Sequence, residues 1–491
     1  MKFQIAVPYA DISYPLRTKV NITFHTKGRV TGRMRAVAEL MGFSPEDVIM
    51  PLFENVEIEI NPSDIVYITG PSGSGKSLLL RELVRAFAKS AEFAPVAVSW
   101  ELYKLIDYKK PIIEQVGEDV HDAVKILNTV GLSDTFTWFR RYDELSDGQK
   151  MRFLLAKAID LKAKTLVIDE FCSVLDRYTA RAVAYAFQKY IRRHGLTLIV
   201  GTAHDDLIDD LQPTLIIRKD WGPNIKLSRH QYAERPWSLL DRVVVEPGAI
   251  DDWHKLSFLH YRSHTVAGPK IYRARIDDWV IGVVVYVPSV IFSTGAQGVF
   301  RPNWYINERF KHVRRISRIV VHPNFRNVGI ARKLLLESMP QLGVPFVEIL
   351  SSMERLIPFT QKIMQISTEV ASKDSERLIK DFRQTFEIDP RKYTADQIFM
   401  YIKNIGKTRQ LRSWIAKHAH DLGVWMRAEA ERLPDQPLKA LKILKSVAAP
   451  KVYAVWINPN TDPALLHEAL SDWALEILCN KGFNINISNK D

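Results

Sequence analysis

The strongest constraint on this chain is an eight-residue loop, Gly70-Pro71-Ser72-Gly73-Ser74-Gly75-Lys76-Ser77. It fits the pattern G-x-x-x-x-G-K-[ST] and sits in the context that pattern needs. A strand-like run, Ile65–Ile68, precedes it, and a helical run, Leu78–Lys89, follows. The glycines let successive main-chain N–H groups wrap an anion, and the start of the helix adds a favourable dipole. Lys76 is placed to reach the β- and γ-phosphates of a nucleotide, and Ser77 to offer its hydroxyl to Mg²⁺. Strand and helix signals alternate from here to about Arg218, the pattern of an α/β domain with a mainly parallel sheet.

The chain has 491 residues, about three units at roughly 150 residues each. With 46% hydrophobic and 25% charged residues it is neither wholly disordered nor collagen-like. Two cysteines, Cys172 and Cys479, cannot make a disulfide framework, which points to a reducing compartment. The N-terminus lacks the order of a signal peptide. The most apolar run, Trp279–Phe292, contains Gly282 and Pro288, falls short of the roughly 18 residues of a spanning helix, and reads as buried strand. A cytoplasmic protein with no transmembrane segment is expected.

Along the chain, residues 1–48 read as an N-terminal extension, with strand character over Lys19–Thr26 and a helix near Arg33–Met41. Residues 49–220 form the nucleotide domain. A looser stretch with Gly222, Pro223 and Pro236 makes 221–239 a linker. Residues 240–365 form a second α/β region, with strands at Ile271–Ile276, Val280–Val287, Ser317–Val321 and Phe346–Leu350 and a helix after Gly329. Residues 366–449 read as a polar helical insertion. Residues 450–491 supply a strand, Lys451–Asn458, and a helix, Ala464–Asn480, that complete the second domain.

Downstream of the loop, the strand Thr165–Ile168 ends in Asp169-Glu170. An aspartate there can hold Mg²⁺, and the adjacent glutamate can orient or deprotonate the attacking water. Between the two lies Leu145-Ser146-Asp147-Gly148-Gln149, followed by a helical stretch. Taken in order, residues 50–210 resemble an ABC-type ATPase domain. Gly70–Ser77 is similar to the Walker A loop and Gln115 to the Q-loop glutamine. Leu145–Gln149 resembles the LSGGQ signature and Leu166–Glu170 the Walker B strand. Ser173–Asp176 resembles the D-loop and His204 the switch histidine. The resemblance implies ATP held by Gly70, Ser72, Gly73, Gly75, Lys76, Ser77 and Gln115. It implies Mg²⁺ at Ser77, Asp169 and Gln115, with Glu170 and His204 as the catalytic pair. Asp176 is implied to be ATP-binding as well, and Ser146 and Gly148 would meet the nucleotide of a partner, so an ATP-dependent homodimer is implied. One departure is Asp147, which stands at the first signature glycine, where a carboxylate would repel a γ-phosphate unless it turns away or meets a cation. Phe43 and Phe53 are candidates to stack on adenine, and each is also a candidate core residue.

A second anion cradle is written into Val321-His322-Pro323-Asn324-Phe325-Arg326-Asn327-Val328-Gly329-Ile330-Ala331. It is a strand end, a turn and a helix start where small residues let an anion approach the amides. It resembles the acyl-CoA motif [RQ]-x-x-G-x-[GA] of GNAT acetyltransferases. The resemblance implies acetyl-CoA or another acyl-CoA at Val321, Arg326, Val328, Gly329, Ile330 and Ala331. The position aligned with the family's acidic tyrosine, in Pro358-Phe359-Thr360-Gln361-Lys362, is Thr360, a poor acid. Glu348 and Glu354 are candidate bases. The two halves together resemble an ABC-type ATPase fused to a GNAT-like domain, an architecture of archaea and phages that carries "LSDGQ" and "IDEFCS", so Asp147 fits that subgroup. The fold class expected is thus α/β: a P-loop ABC-type ATPase domain followed by a GNAT-like α/β domain with a helical insertion.

The net charge of +12 is uneven. Residues 1–230 carry 31 Lys+Arg against 29 Asp+Glu, and the remainder 37 against 27. Part of the excess clusters at Arg309, Lys311, Arg314, Arg315, Arg318, Arg326, Arg332 and Lys333. Such a cluster can serve CoA phosphates, a nucleic acid, or simply a solvated face. Three functions stand: an ATP-driven N-acyltransferase acting on or near nucleic acid, a nucleic-acid-binding ATPase whose second fold only recognises, and an ATPase subunit for a separate membrane protein.

Overall fold

A computed structural model describes residues 15–25, 30–44, 49–260, 268–290, 295–352, 354, 359–370, 373–422, 427–449 and 451–483. Thr26, Phe292 and Pro358, named above, lie outside them. The chain divides into two compact units. The first comprises Met1–Val244, Ala274–Gly282 and Val321–Ala331, and the second Val245–Arg273, Val283–Val320 and Arg332–Asp491. The acyl-CoA-like motif therefore clusters with the N-terminal unit, although the sequence alone places it within 240–365.

The first unit opens with an antiparallel pair, β1 (Leu16–His25) and β2 (Ile49–Ile60). Its main sheet holds β3 (Ile65–Thr69), β4 (Val96–Val98), β5 (Thr165–Ile168), β6 (Thr197–Thr202), β7 (Leu215–Arg218) and β8 (Lys226–Arg229), in the order β4-β5-β6-β3-β7-β8. All its described pairings are parallel except β7 with β8. Every residue of β3, β5 and β6 is buried. Such unbroken apolar strands are what a parallel sheet covered on both faces requires. Alternation then sorts them. Val66, Ile68, Val167 and Ile199 join the core under the helix Lys76–Phe87, which presents Leu79, Leu80, Leu83 and Phe87 at helical spacing. Ile65, Tyr67, Leu166, Ile168, Leu198 and Val200 join the opposite core, with Phe153, Phe171 and Phe187. The glycine loop, Asp169-Glu170 and His204 follow β3, β5 and β6, at the carboxyl ends of parallel strands where ligands of such sheets bind.

The other large sheet holds β9 (Val244–Gly248), β10 (Lys270–Ile276), β11 (Trp279–Pro288), β12 (Val313–Val321), β13 (Phe346–Ser351), β14 (Ile366–Val370) and β15 (Lys451–Ile457), ordered β14-β15-β13-β12-β11-β10-β9. β12 and β13 run parallel but pair only over Val313–Arg315 with Phe346–Glu348, and then part. Two expectations shift. Residues 366–370 are a strand rather than the start of the helical block, because the alternation Ile366/Thr368/Val370 suits an edge beside β15. The expected helix over 464–480 is two, Pro463–Ala469 and Asp472–Asn480, because Ser471 caps the second by accepting from the Ala474 amide at 3.3 Å. The helices between Lys373 and Ala448 bury a core of their own, with Phe382, Phe386, Ile398, Leu411, Trp414 and Leu441.

Candidate nucleotide site

The glycine loop is shaped by what crowds it. A Cβ on Gly70 would lie 1.9 Å from the carbonyl oxygen of Lys219, and φ there is +150°. Lys219 is itself fully buried, and its amide donates to the Thr69 carbonyl at 2.8 Å. Gly75 (φ +102°) faces the edge of Phe53, whose ring is buried beneath the loop with the Lys219 ammonium 5.0 Å from its centroid. Phe53 is therefore a floor to the loop, not an adenine platform, and Phe43 is exposed. Lys76 is buried and donates to the carbonyls of Gly70 and Pro71, each at 2.8 Å. The Ser74 hydroxyl is buried with no protein partner among the described residues. A cation folded back on its own loop beside an unsatisfied hydroxyl fits a cradle whose partner is a phosphate.

Across the sheet, the Asp169 amide donates to Ser99 Oγ at 3.0 Å, and Asp169 Oδ1 accepts from the Glu170 amide at 3.0 Å. Asp169 Oδ1 also lies 3.1 Å from where a Cβ on Gly201 would be, so that glycine makes room for the carboxylate. Glu170 is exposed and sits at φ +52°, a left-handed conformation that non-glycine residues seldom adopt. The turn is tied by Ser173, whose amide and hydroxyl both donate to the Glu170 carbonyl, at 3.2 and 3.0 Å. The carbonyl of His204 accepts from the Tyr67 hydroxyl. Burial, then the charges of Asp205 and Asp206, push that phenol well above its ordinary range, so it remains a donor. Thr69 and Arg218 both donate to Asp205, at 2.5 and 2.8 Å; burial works to raise its pKa, but these bonds hold it below the usual carboxylate value.

Residues Ser77 and Asp169 suit a hard cation such as Mg²⁺. Gln115, expected to join them, has its side-chain amide engaged on its own loop. Its amide donates to the carbonyls of Asp107 and Lys110 at 2.8 Å and accepts from the Asp107 amide at 2.9 Å. Ser99, at the end of β4 beside Asp169, is the polar side chain that sequence reading missed. Ser99→Ala should leave Mg²⁺-free nucleotide affinity unchanged and lower turnover about fivefold, the equivalent of one hydrogen bond of ~1 kcal/mol. Steady-state hydrolysis titrated with Mg²⁺ checks this.

The signature is held as a helix start. Ser146 Oγ accepts from the Gln149 amide at 3.3 Å and Gln149 Oε1 from the Ser146 amide at 3.0 Å. This is a capping box at the head of the helix Asp147–Asp160, and the spacing S-x-x-Q was its signal. The Asp147 side chain is 87% exposed and lies 3.8 Å from the Lys150 ammonium, a cation of the kind its charge calls for. Gly148 faces Leu175, where a Cβ would fall 2.8 Å from its methyl. Asp176 caps the helix Arg177–Arg193 by accepting from the Thr179 amide at 2.9 Å.

The glycine loop and the parallel sheet around it make the first unit an α/β P-loop domain of the ABC ATPase type, and residues 53–173 match the family described as ABC transporter. Among curated proteins it is similar to the Fe(3+) ions import ATP-binding protein FbpC of Photobacterium profundum, 23% identical over 48% of this chain and 68% of that one. It is also similar to the aliphatic sulfonates import ATP-binding protein SsuB of Pseudomonas putida, 29% identical over 40% of this chain and 82% of that one. The cell division ATP-binding protein FtsE of Mycobacterium tuberculosis is 26% identical over 34% of this chain and 84% of that one. Among solved structures, a dimeric ATP-binding cassette in a post-hydrolysis state bound to ADP and Pi aligns with 44% of this chain and 100% of its own, at 17% identity and a TM-score of 0.33.

The acyl-CoA-like segment is arranged differently from its expected role. Arg326 is half-buried, with Nε donating to the Val321 carbonyl at 2.8 Å and Nη1 to the Ser133 carbonyl. Burial lowers its pKa to about 10. Val321, Val328 and Ile330 are buried. Gly329 adopts φ +99°, open only to glycine without strain. What remains for an anion is the main chain around Gly329–Ala331. Glu348, fully buried in β13, accepts from Ser289 at 2.7 Å, Tyr305 at 3.0 Å and Tyr453 at 2.5 Å. Glu354 is buried and accepts from the Thr360 amide and hydroxyl at 2.8 and 2.7 Å; burial raises its pKa. Glu348 and Thr360 are thus paired within the fold, while Glu354 Oε2 is buried with no hydrogen-bond partner among the described residues. Of the basic cluster, Arg309 is buried against the Ile306 carbonyl, Arg314 donates to the Phe310 carbonyl at 2.8 Å, and Lys311 pairs with Glu308 at 3.4 Å. These cations are engaged on their own segments.

Proposed function

We propose that the chain hydrolyses ATP as a homodimer, each copy closing its signature on the nucleotide held by the other's Walker A loop, and that this cycle governs a GNAT-like unit that binds acyl-CoA. The observation that carries the ATPase part is the convergence of the Lys76 loop, Asp169-Glu170 and His204 at the carboxyl ends of three parallel strands. Glu170 is the general base, and His204 senses the γ-phosphate. One P-loop and one signature per chain favour two copies.

The acyl-CoA reading is supported by the parting of β12 and β13 beyond Arg315 and Glu348. The positive φ of Gly329 at the start of the following helix supports it as well. Acetyl-CoA should bind the full-length chain in calorimetry, and Gly329→Val should remove that binding while ATP still binds. A wild-type chain that takes up no acetyl-CoA overturns this reading. A polyanionic acceptor would meet the positive excess beyond residue 230, and its affinity should then fall steeply with salt.

A second reading is favoured by the relatives, two of which are named as import ATP-binding proteins: an ATPase subunit serving a separate membrane protein. Co-purification from detergent extracts with a membrane protein, and ATPase stimulation by it, would support that role.

A further inference from the structure

Arg152 lies one turn into the signature helix and is 6% exposed. Its Nε donates to the Gly148 carbonyl at 3.2 Å, and its Nη1 to the Gly131 carbonyl at 2.9 Å and to Asn324 Oδ1 at 3.0 Å. A single buried guanidinium thus joins the signature glycine, the loop before the signature and a residue 172 positions downstream. Burial lowers its pKa to about 10, still far above neutrality, so it remains a cation that needs each acceptor it has.

Asn324 is firmly placed. Its amide donates to His322 Nδ1 at 3.4 Å, and the Phe325 amide to the His322 carbonyl at 2.9 Å. Phe325 is buried against Trp237. The next residues reach the same loop that Arg152 reaches: Arg326 donates to Ser133, and Asn327 to the Asn128 carbonyl at 2.6 Å. Three side chains of one short segment therefore grip residues 128–133 and the signature helix, all within the first unit. The unit's other distant segment acts alike. Asp277 accepts from Arg242 at 2.7 Å and from the hydroxyl of Tyr178, two residues past the D-loop aspartate.

We infer that residues 322–327 are a built-in part of the ATPase, and that Asn324 is a positioning residue which, through Arg152, sets where the Gly148 end of the signature lies. This rests on the ATPase reading above. The signature has to meet a γ-phosphate to sub-ångström tolerance, and a small displacement of a positioned group lowers turnover without altering ground-state binding. Arg326 and Asn327 fix the segment; Asn324 transmits its position.

The test uses the full-length chain. Asn324→Ala should lower kcat about tenfold and leave ATP affinity within about twofold, since the Walker A loop is untouched. Asn324→Asp, which keeps an acceptor for Arg152, should retain turnover within about threefold. In Arg152→Lys, adding Asn324→Ala should cost nothing further, because the two act in series. Wild-type kcat in Asn324→Ala would overturn the inference, as would a parallel loss of kcat and ATP affinity, which marks general destabilisation. Should Asn324→Ala fail to fold, an Asn324→Asp enzyme no better than Asn324→Leu would also overturn it. Failure of the ATPase reading looks different: the wild-type chain would not hydrolyse ATP, or Glu170→Gln would hydrolyse it normally.

Discussion

Glu170→Gln should bind ATP with near-normal affinity, lose hydrolysis by at least about a hundredfold, and sediment as a dimer only when ATP is present. The substitution keeps size and turn geometry but removes the group that can accept a proton from water, and general-base catalysis is worth ~10²–10⁴ in rate. The Glu170 main chain, bound by Ser173 and held at φ +52°, is indifferent to the exchange. What changes is the fate of the closed state. With hydrolysis blocked, the γ-phosphate persists between one copy's Lys76 and the other's Ser146, and the dimer accumulates. Normal turnover would remove Glu170 from the mechanism, and a monomer in ATP would remove the composite site.

Gly70→Ala should abolish nucleotide binding, lowering affinity by at least about a hundredfold, in a chain that still folds. The added methyl would sit 1.9 Å from the Lys219 carbonyl oxygen, which is main chain and cannot swing away. Lys219 is pinned, since its amide donates to Thr69 and its ammonium to the carbonyls of Asp220 and Gly222. The glycine loop must therefore yield, and with it the Lys76 ammonium and the amides that wrap the phosphates. Fluorescent nucleotide titration measures the loss, and circular dichroism with thermal melting shows whether the sheet persists. Gly73→Ala is the comparison, because nothing lies within 4 Å of its added methyl. Its strain comes from φ +77° alone. That costs ~1–2 kcal/mol, so a weaker but measurable binder is expected.

These two sites show what was legible in the sequence. The Gly70–Ser77 loop, Asp169-Glu170 and the strands Ile65–Ile68 and Thr165–Ile168 could be read because each is a local demand of the backbone: a glycine where φ is positive, or an unbroken apolar run where both faces are covered. Gly201 was legible in principle, since a glycine inside Ile199–Thr202 signals a close neighbour, here Asp169 and Leu80. The partners of Arg152 were not. Its guanidinium meets Asn324 only after the chain has travelled through another unit, and no local pattern encodes that. The same holds for Gln115, which looks like a metal-side glutamine by order along the chain yet spends its amide on Asp107 and Lys110. Arg326 and Gly329 gave a clear motif, but motif spacing is silent on which carbonyl a guanidinium will find.

The first unit is assembled from three separated stretches, the last ending at Ala331. A chain leaving the ribosome can complete β3 to β8 by residue 229, but the Asn128–Ser133 loop and Arg152 wait for partners about a hundred residues later. At ~5–20 residues per second that is a delay of several seconds, during which the signature helix is formed but not clamped. Connectivity alone thus sets the earliest moment at which Asn324 can meet Arg152.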